Sequence, residues 1–161
     1  MNNTPPMLNL GELKLDTFGH GDSFSAAVGR IARTLGMKKL GCTLVELQPG
    51  KRAWPYHGHH AQEELFVVLE GHGSIRYADA THPVRAGDVI FTPPGPDQAH
   101  QIVNDSDASL RYLAFSSMDS PEICYYPDSA KIGAFHTTAD GGFAGFMVRE
   151  NADTDYWDGE D

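Results

Sequence analysis

Four side chains in this sequence have the types and spacing to hold a metal ion. His57 and His59 stand two apart in PYHGHHAQEELFVVLEG, residues 55–71, and Glu63 and Glu64 follow closely. Side chains two apart in an extended segment point the same way, so both imidazoles can reach one ion. Imidazole nitrogen with carboxylate oxygen suits Mn, Fe, Ni, Zn or Cu rather than a soft thiolate site. In the apolar run that follows, Glu64, Phe66, Val68 and Glu70 share one face, while Glu63, Leu65, Val67 and Leu69 share the other. If Glu64 faces a cavity, the more aliphatic set packs outward against another layer. A further donor, His100, opens an apolar run just after the Pro-rich turn of GDVIFTPPGPDQAHQIVN. Three imidazoles and a carboxylate would leave part of an octahedral shell open to water or substrate. Alone, HGHH reads more readily as a polar turn; Glu64 and His100 are what tip it toward metal. His60 is expected to be exposed or to support its neighbours by a hydrogen bond. His20, His72, His82 and His136 stand alone and are given surface or structural roles.

Those ligands need strands to carry them. From Leu40 onward, short apolar or alternating runs (CTLVEL, EELFVVLE, SIRYA, VIF, HQIV, LRYLAF, EICYY) are separated by QPGK, EGHG, RAGD, PPGPDQ and NDSDAS. Such turn-forming clusters between short strands, with no intervening helices, predict an all-β sandwich or barrel. Gly71, Gly87 and Gly95 are expected at turns with unusual backbone angles, and Asn104 is expected to tie a loop. Ahead of the strands, DSFSAAVGRIARTL places Phe24, Val28, Ile31 and Leu35 on one helical face, predicting a short helix over 22–35 with Gly36 as its left-handed stop. The expected organisation is an N-terminal arm and helix over 1–39, a barrel core over 40–120, and an extension over 121–161 that packs on the barrel or on a partner subunit. Phe66, Phe91, Tyr112 and Phe115 are expected in the core. Phe66, on the face of Glu64, and Trp54, near the barrel mouth, are the candidate walls of a substrate pocket.

Composition narrows the partners. The 161 residues carry 22 Asp and Glu against 12 Lys and Arg, a formal net charge of -10. A chain this acidic repels phosphate backbones, so nucleic acid is not expected as a partner. Cys42 and Cys124 form no CxxC pair and are expected as buried free thiols. The first residues lack a basic and apolar leader, and no apolar run approaches membrane-spanning length, so a cytoplasmic protein without a membrane partner is expected.

The glycines, histidines and glutamate together carry a family likeness. Gly50, His57, His59, Glu64 and Gly71 resemble the first motif of the cupins, and Gly87, Pro93, Gly95, His100 and Asn104 resemble the second. The turns from Gly50 to His57 and from Gly95 to His100 are longer than the family's usual ones, which adds to loops rather than strands. The resemblance implies an all-β cupin jelly roll, a barrel of double-stranded β-helix type, preceded by the short helix. It also implies one divalent ion (Mn, Fe, Ni or Zn) held by His57, His59, Glu64 and His100. Within the superfamily the chain resembles small single-domain members labelled sugar-phosphate-isomerase-like, in which YPDS (here Tyr126–Ser129) and a YWDGE tail (Tyr156–Glu160) recur. That likeness implies a small-molecule ligand and a homodimer.

Three functions fit this reading: a metal-dependent isomerase of a small sugar or sugar phosphate, an iron-dependent dioxygenase, or a non-catalytic binder of metal and small molecules. An isomerase needs a base to move a proton between carbons, and no residue outside the ligand set stands out for it. Of the cations in the barrel segment, Lys51, Arg52, Arg76, Arg85 and Arg111, none sits in a phosphate-loop context.

Overall fold

Alternating apolar residues become strands wherever the sequence repeats with period two. The computed structural model describes residues 5–139 and 142–160, and among them the strands form three hydrogen-bonded sheets. The largest runs in the order β1 (Asp16–His20), β2 (Phe24–Gly29), β3 (Gly41–Leu47), β10 (Leu110–Ser116), β5 (Glu64–Glu70) and β8 (Val89–Thr92). A second is ordered β13 (Phe143–Arg149), β12 (Lys131–Thr137), β11 (Glu122–Tyr126) and β4 (Gly58–His59). The third is ordered β7 (Ala80–Arg85), β6 (His72–Tyr77) and β9 (His100–Val103). All pairings within the sheets are antiparallel. The sheets are not closed into one hydrogen-bonded barrel; isolated bridges run from the segment ahead of β4, Arg52 to Phe24 of β2 and to Val103 of β9, and His57 to His100 of β9. The architecture is therefore the expected all-β jelly roll, assembled from three sheets around a shared interior.

Two apolar clusters sit on opposite faces of the large sheet. The inner one joins Val45, Leu47, Phe66, Val68, Ile75, Val84, Ile102, Leu110 and Tyr112. Phe66 and Val68 lie in it while Leu69 packs in the other cluster, as the alternation along β5 requires. The outer cluster places Leu8, Leu10, Leu13 and Leu15 with a short helix, α1 (Ile31–Leu35), over Cys42 and Leu44. Burial of this kind yields about 25 cal/mol per Å2 of apolar surface removed from water, so a leucine-lined arm is held firmly without backbone pairing.

The helix expected over 22–35 exists only at Ile31–Leu35, ended by Gly36 at φ 70°. Phe24–Gly29 is instead a strand whose Val28 pairs with Val45. A helix-like spacing of four apolar residues was outcompeted by an available sheet edge, since Ala26 and Val28 also satisfy a two-residue period. Phe91, expected in the core, is 53% exposed on the edge strand β8. Within the extension, β11 pairs with β4, while Tyr156 and Trp157 are 83% and 71% exposed in the single chain and pack edge-to-face on each other. Asn104 ties its loop as expected, donating from Nδ2 to the carbonyls of Leu47 and Ala108. Both cysteines are free and buried. No helix among the described residues is long and apolar enough to cross a membrane.

Gly71 closes β5 at φ +81°, and a Cβ there would lie 2.2 Å from the carbonyl oxygen of Ser109. Both the backbone angle and the space forbid a side chain. Gly71→Ala is expected to lower stability by about 1–3 kcal/mol, read as a reduced denaturant midpoint with an unchanged slope; an unchanged midpoint contradicts this packing.

Candidate metal centre

Each of the three sheets delivers part of one side-chain cluster. His59 comes from β4, Glu64 from β5 and His100 from β9, while His57 sits in the bridge that pairs with His100. Main-chain bonds fix that bridge in both directions: His57 N–H donates to the His100 carbonyl (3.2 Å) and His100 N–H to that of His57 (2.8 Å). Gly58, between the two histidines, leaves room for Tyr125, whose ring would lie 2.2 Å from any Cβ there. The Tyr125 hydroxyl then donates to the Gly95 carbonyl and accepts from Gln98 N–H, bracing the Pro-rich turn ahead of His100. The long turn thus has its own anchor, and His100 is aimed inward.

One ligand atom from each of His57, His59, Glu64 and His100 lies within 4.8 Å of the others. His100 Nε2 is 2.7 Å from Glu64 Oε2, and His59 Nε2 is 3.3 Å from the same oxygen. Yet His59 Nε2 is buried with no hydrogen-bond partner of acceptable geometry. A buried polar atom left so costs about 1–3 kcal/mol, and a cation placed among these donors would remove that cost. The residues fit a divalent ion of nitrogen and oxygen preference.

The opposite ring nitrogens face acceptors. His57 Nδ1–H donates to the Pro55 carbonyl at 2.8 Å, His100 Nδ1 is 3.3 Å from that of Gln98, and His59 Nδ1 is 3.5 Å from Cys124 Sγ and 3.8 Å from Glu122 Oε1. Such contacts fix ring orientation and leave Nε2 to the cluster. Glu122, buried on β11, also accepts main-chain N–H bonds from His60 and Gln62 at 2.9 and 2.8 Å, which holds the turn between His59 and Glu64. Sequence reading missed Glu122 and Cys124; EICYY showed a strand, but nothing local tied it to β4. His60 is exposed, as expected, with its ring against Tyr125.

The cluster is electrostatically divided. Burial, then the neighbouring charge of His100, brings the His57 pKa down to about 4. Burial also opposes a charged His59, but its contacts with Cys124 and Glu64 outweigh that and raise its pKa to about 10. For Glu64, burial is outweighed by the hydrogen bond from His100 and the close approach of His59, so its pKa falls well below the usual carboxylate range. The shifts favour a charged Glu64 and a charged His59 beside a neutral His57.

A cavity of about 810 Å3 opens from the cluster, within the range of small-molecule sites. Trp54 and Phe66, the two candidate wall residues, both line it, beside Gln62, Gln101 and Tyr112. The cations of the barrel segment do not line it. Arg76 lies over the Tyr56 ring and pairs with Asp128, Arg111 pairs with Glu70, Lys51 donates to the Asp22 carbonyl, and Arg52 lies over Phe24. Arg30, Arg33 and Lys38 line it instead. The three-residue spacing of Arg30 and Arg33 hinted at a shared helical side, but no sequence feature placed that side at the cavity.

Residues 43–116 match the cupin domain family. Auxin-binding protein 1 of Arabidopsis thaliana is 31% identical over 80% of this chain and 67% of its own length. An oxalate-binding protein of Thermotoga maritima is 33% identical over 44% of this chain and 55% of its own. Among solved structures, a sugar phosphate isomerase of the cupin superfamily from Silicibacter pomeroyi superposes with a TM-score of 0.76 at 27% identity, covering 95% of this chain and 98% of that one.

The protonated state of His59 has a measurable consequence. An imidazole must give up its Nε2 proton to ligate, so metal uptake at pH 7.5 is expected to release about one proton per ion. Calorimetric titration in buffers of differing ionisation enthalpy would show this as a buffer-dependent heat; a buffer-independent heat contradicts the assignment.

Proposed function

The chain belongs to the cupin superfamily, and from that premise we propose that it holds one divalent transition metal ion at His57, His59, Glu64 and His100 and binds a small oxygen-bearing molecule beside it. The observation that carries this is the buried, unpartnered His59 Nε2 facing Glu64 in the lining of the cavity. A bound divalent ion would supply Lewis acidity toward a carbonyl, carboxylate or enediolate oxygen. The chain's own part is to position the ligand: Trp54 and Phe66 offer apolar walls, and the inner cluster behind Phe66 keeps bulk water from that side.

Isomerisation of a sugar phosphate is the enzymatic form of this reading, supported by the 27% identical relative of that name. It needs a group that titrates near neutrality to carry a proton between carbons. Outside the cluster, the weak acids lining the cavity are Cys42 and Tyr112, and burial raises the pKa of each above its ordinary value. Binding without turnover therefore leads, and the auxin-binding and oxalate-binding relatives accord with it.

Elemental analysis of protein purified without added metal is expected to find a transition metal near stoichiometric, and His57→Ala and His100→Ala are each expected to lose it. Fructose 6-phosphate or indole-3-acetate should then raise the thermal midpoint of the loaded wild type by mass action, and conversion of fructose 6-phosphate to an aldose would favour the isomerase form. Unchanged metal content in both variants contradicts the assignment.

A homodimer is proposed for the second sheet. By register, Ile123, Ile132, Phe146 and Val148 share its outward face and are 37–64% exposed. That face carries no carboxylate on β11, β12 or β13, so two copies of an acidic chain can meet there without like-charge repulsion. Phe146→Glu is expected to halve the mass seen in sedimentation equilibrium; a wild-type monomer contradicts the dimer.

A further inference from the structure

The cavity is lined by two chemically different groups of side chains. One is the cluster with Glu64, the one carboxylate among the lining residues. The other is Arg30, Arg33 and Lys38. None of these three cations forms an ion pair among the described residues. Their charge is therefore not cancelled by a neighbouring carboxylate, as that of Arg76 and Arg111 is. Unpaired cations gathered on a concave surface focus a positive field inside an otherwise acidic molecule. Arginine's planar fork also suits the oxygens of phosphate or carboxylate. Their positions are fixed by the fold: Ile31 is buried in the outer cluster, which sets α1 against the large sheet, and Gly36 turns the chain so that Lys38 reaches the same cavity.

We infer that Arg30, Arg33 and Lys38 form an anion-recognising lip, which receives the phosphate or carboxylate of a ligand whose uncharged oxygens lie toward the His57–His59–Glu64–His100 cluster. The inference rests on the proposed metal-dependent binding and adds its ligand class: a small, bifunctional anion. Neutral sugars and neutral aromatics lack the group that the lip reads.

The test uses the full chain loaded with its metal, with metal content measured first. Fructose 6-phosphate and indole-3-acetate are titrated by calorimetry, with fructose and indole-3-methanol as their uncharged counterparts. At least one anion is expected to bind, and which one does distinguishes a phosphate ligand from a carboxylate ligand. The combined variant Arg30→Ala, Arg33→Ala, Lys38→Ala, all at exposed positions, is expected to bind that anion about 10- to 100-fold more weakly. Its metal content and thermal midpoint should stay at wild-type values. Equal anion affinity in the variant, or no binding of either anion by loaded wild type, overturns the lip. Wild-type protein without stoichiometric metal contradicts the metal reading, and the lip with it; the metal measurement keeps the two failures apart.

Discussion

Two main-chain hydrogen bonds between His57 and His100 are the constraint on which the site depends. They belong to a longer seam. Gly50 N–H bonds to the Asn104 carbonyl, Asn104 N–H to the Lys51 carbonyl, and Arg52 bridges Val103 before the His57–His100 pair is reached. The segment that carries the first two histidines is thereby laid antiparallel along β9, although most of it is not regular strand. Backbone donors and acceptors that would otherwise be buried without partners are satisfied there. The same bonds bring His57 and His100, 43 positions apart in the sequence, to ring centroids 4.9 Å apart. Because His59 then pairs with Cys124 on β11 and Glu64 with Thr92 on β8, all three sheets converge on one point. Sheet geometry alone thus brings ligand atoms of His57, His59, Glu64 and His100 within 4.8 Å of one another.

Electrostatics shape what that cluster prefers. Glu64 is held ionised against an apolar wall of Phe66 and Tyr112, because the His100 imidazole donates to it at 2.7 Å and that of His59 lies 3.3 Å away. His57 is neutral and already offers its lone pair, while His59 is charged and must lose a proton to do so. Glu122 and Cys124 keep the far side of His59 engaged in either state.

The sequence made the local parts of this arrangement legible. Strand parity picked Glu64 over Glu63, the HxH spacing put two imidazoles on one side, and the turn glycines marked where strands end. What stayed illegible depended on contacts between distant segments. Phe24–Val28 satisfied helical and extended periods alike, and only the free edge of β3 chose between them. Phe91 looked like core because its run was apolar, yet β8 is a sheet edge with one side open. Glu122 is an ordinary acidic residue until its carboxylate is seen closing the turn after His59. Arg30 and Arg33 lie outside the motif segment, so their place at the cavity follows from the docking of α1 and from nothing local.

The central claim is that three imidazoles and Glu64, rather than the neighbouring His59–Glu122–Cys124 group, hold the ion. That second group also brings its ligand atoms within 4.8 Å of one another, and it differs by containing sulfur. X-ray absorption spectroscopy of the metal-loaded protein separates the two. If zinc is the ion, the account predicts a shell of nitrogen and oxygen at about 2.0–2.2 Å with imidazole outer-shell scattering; a sulfur shell at about 2.3 Å would contradict it.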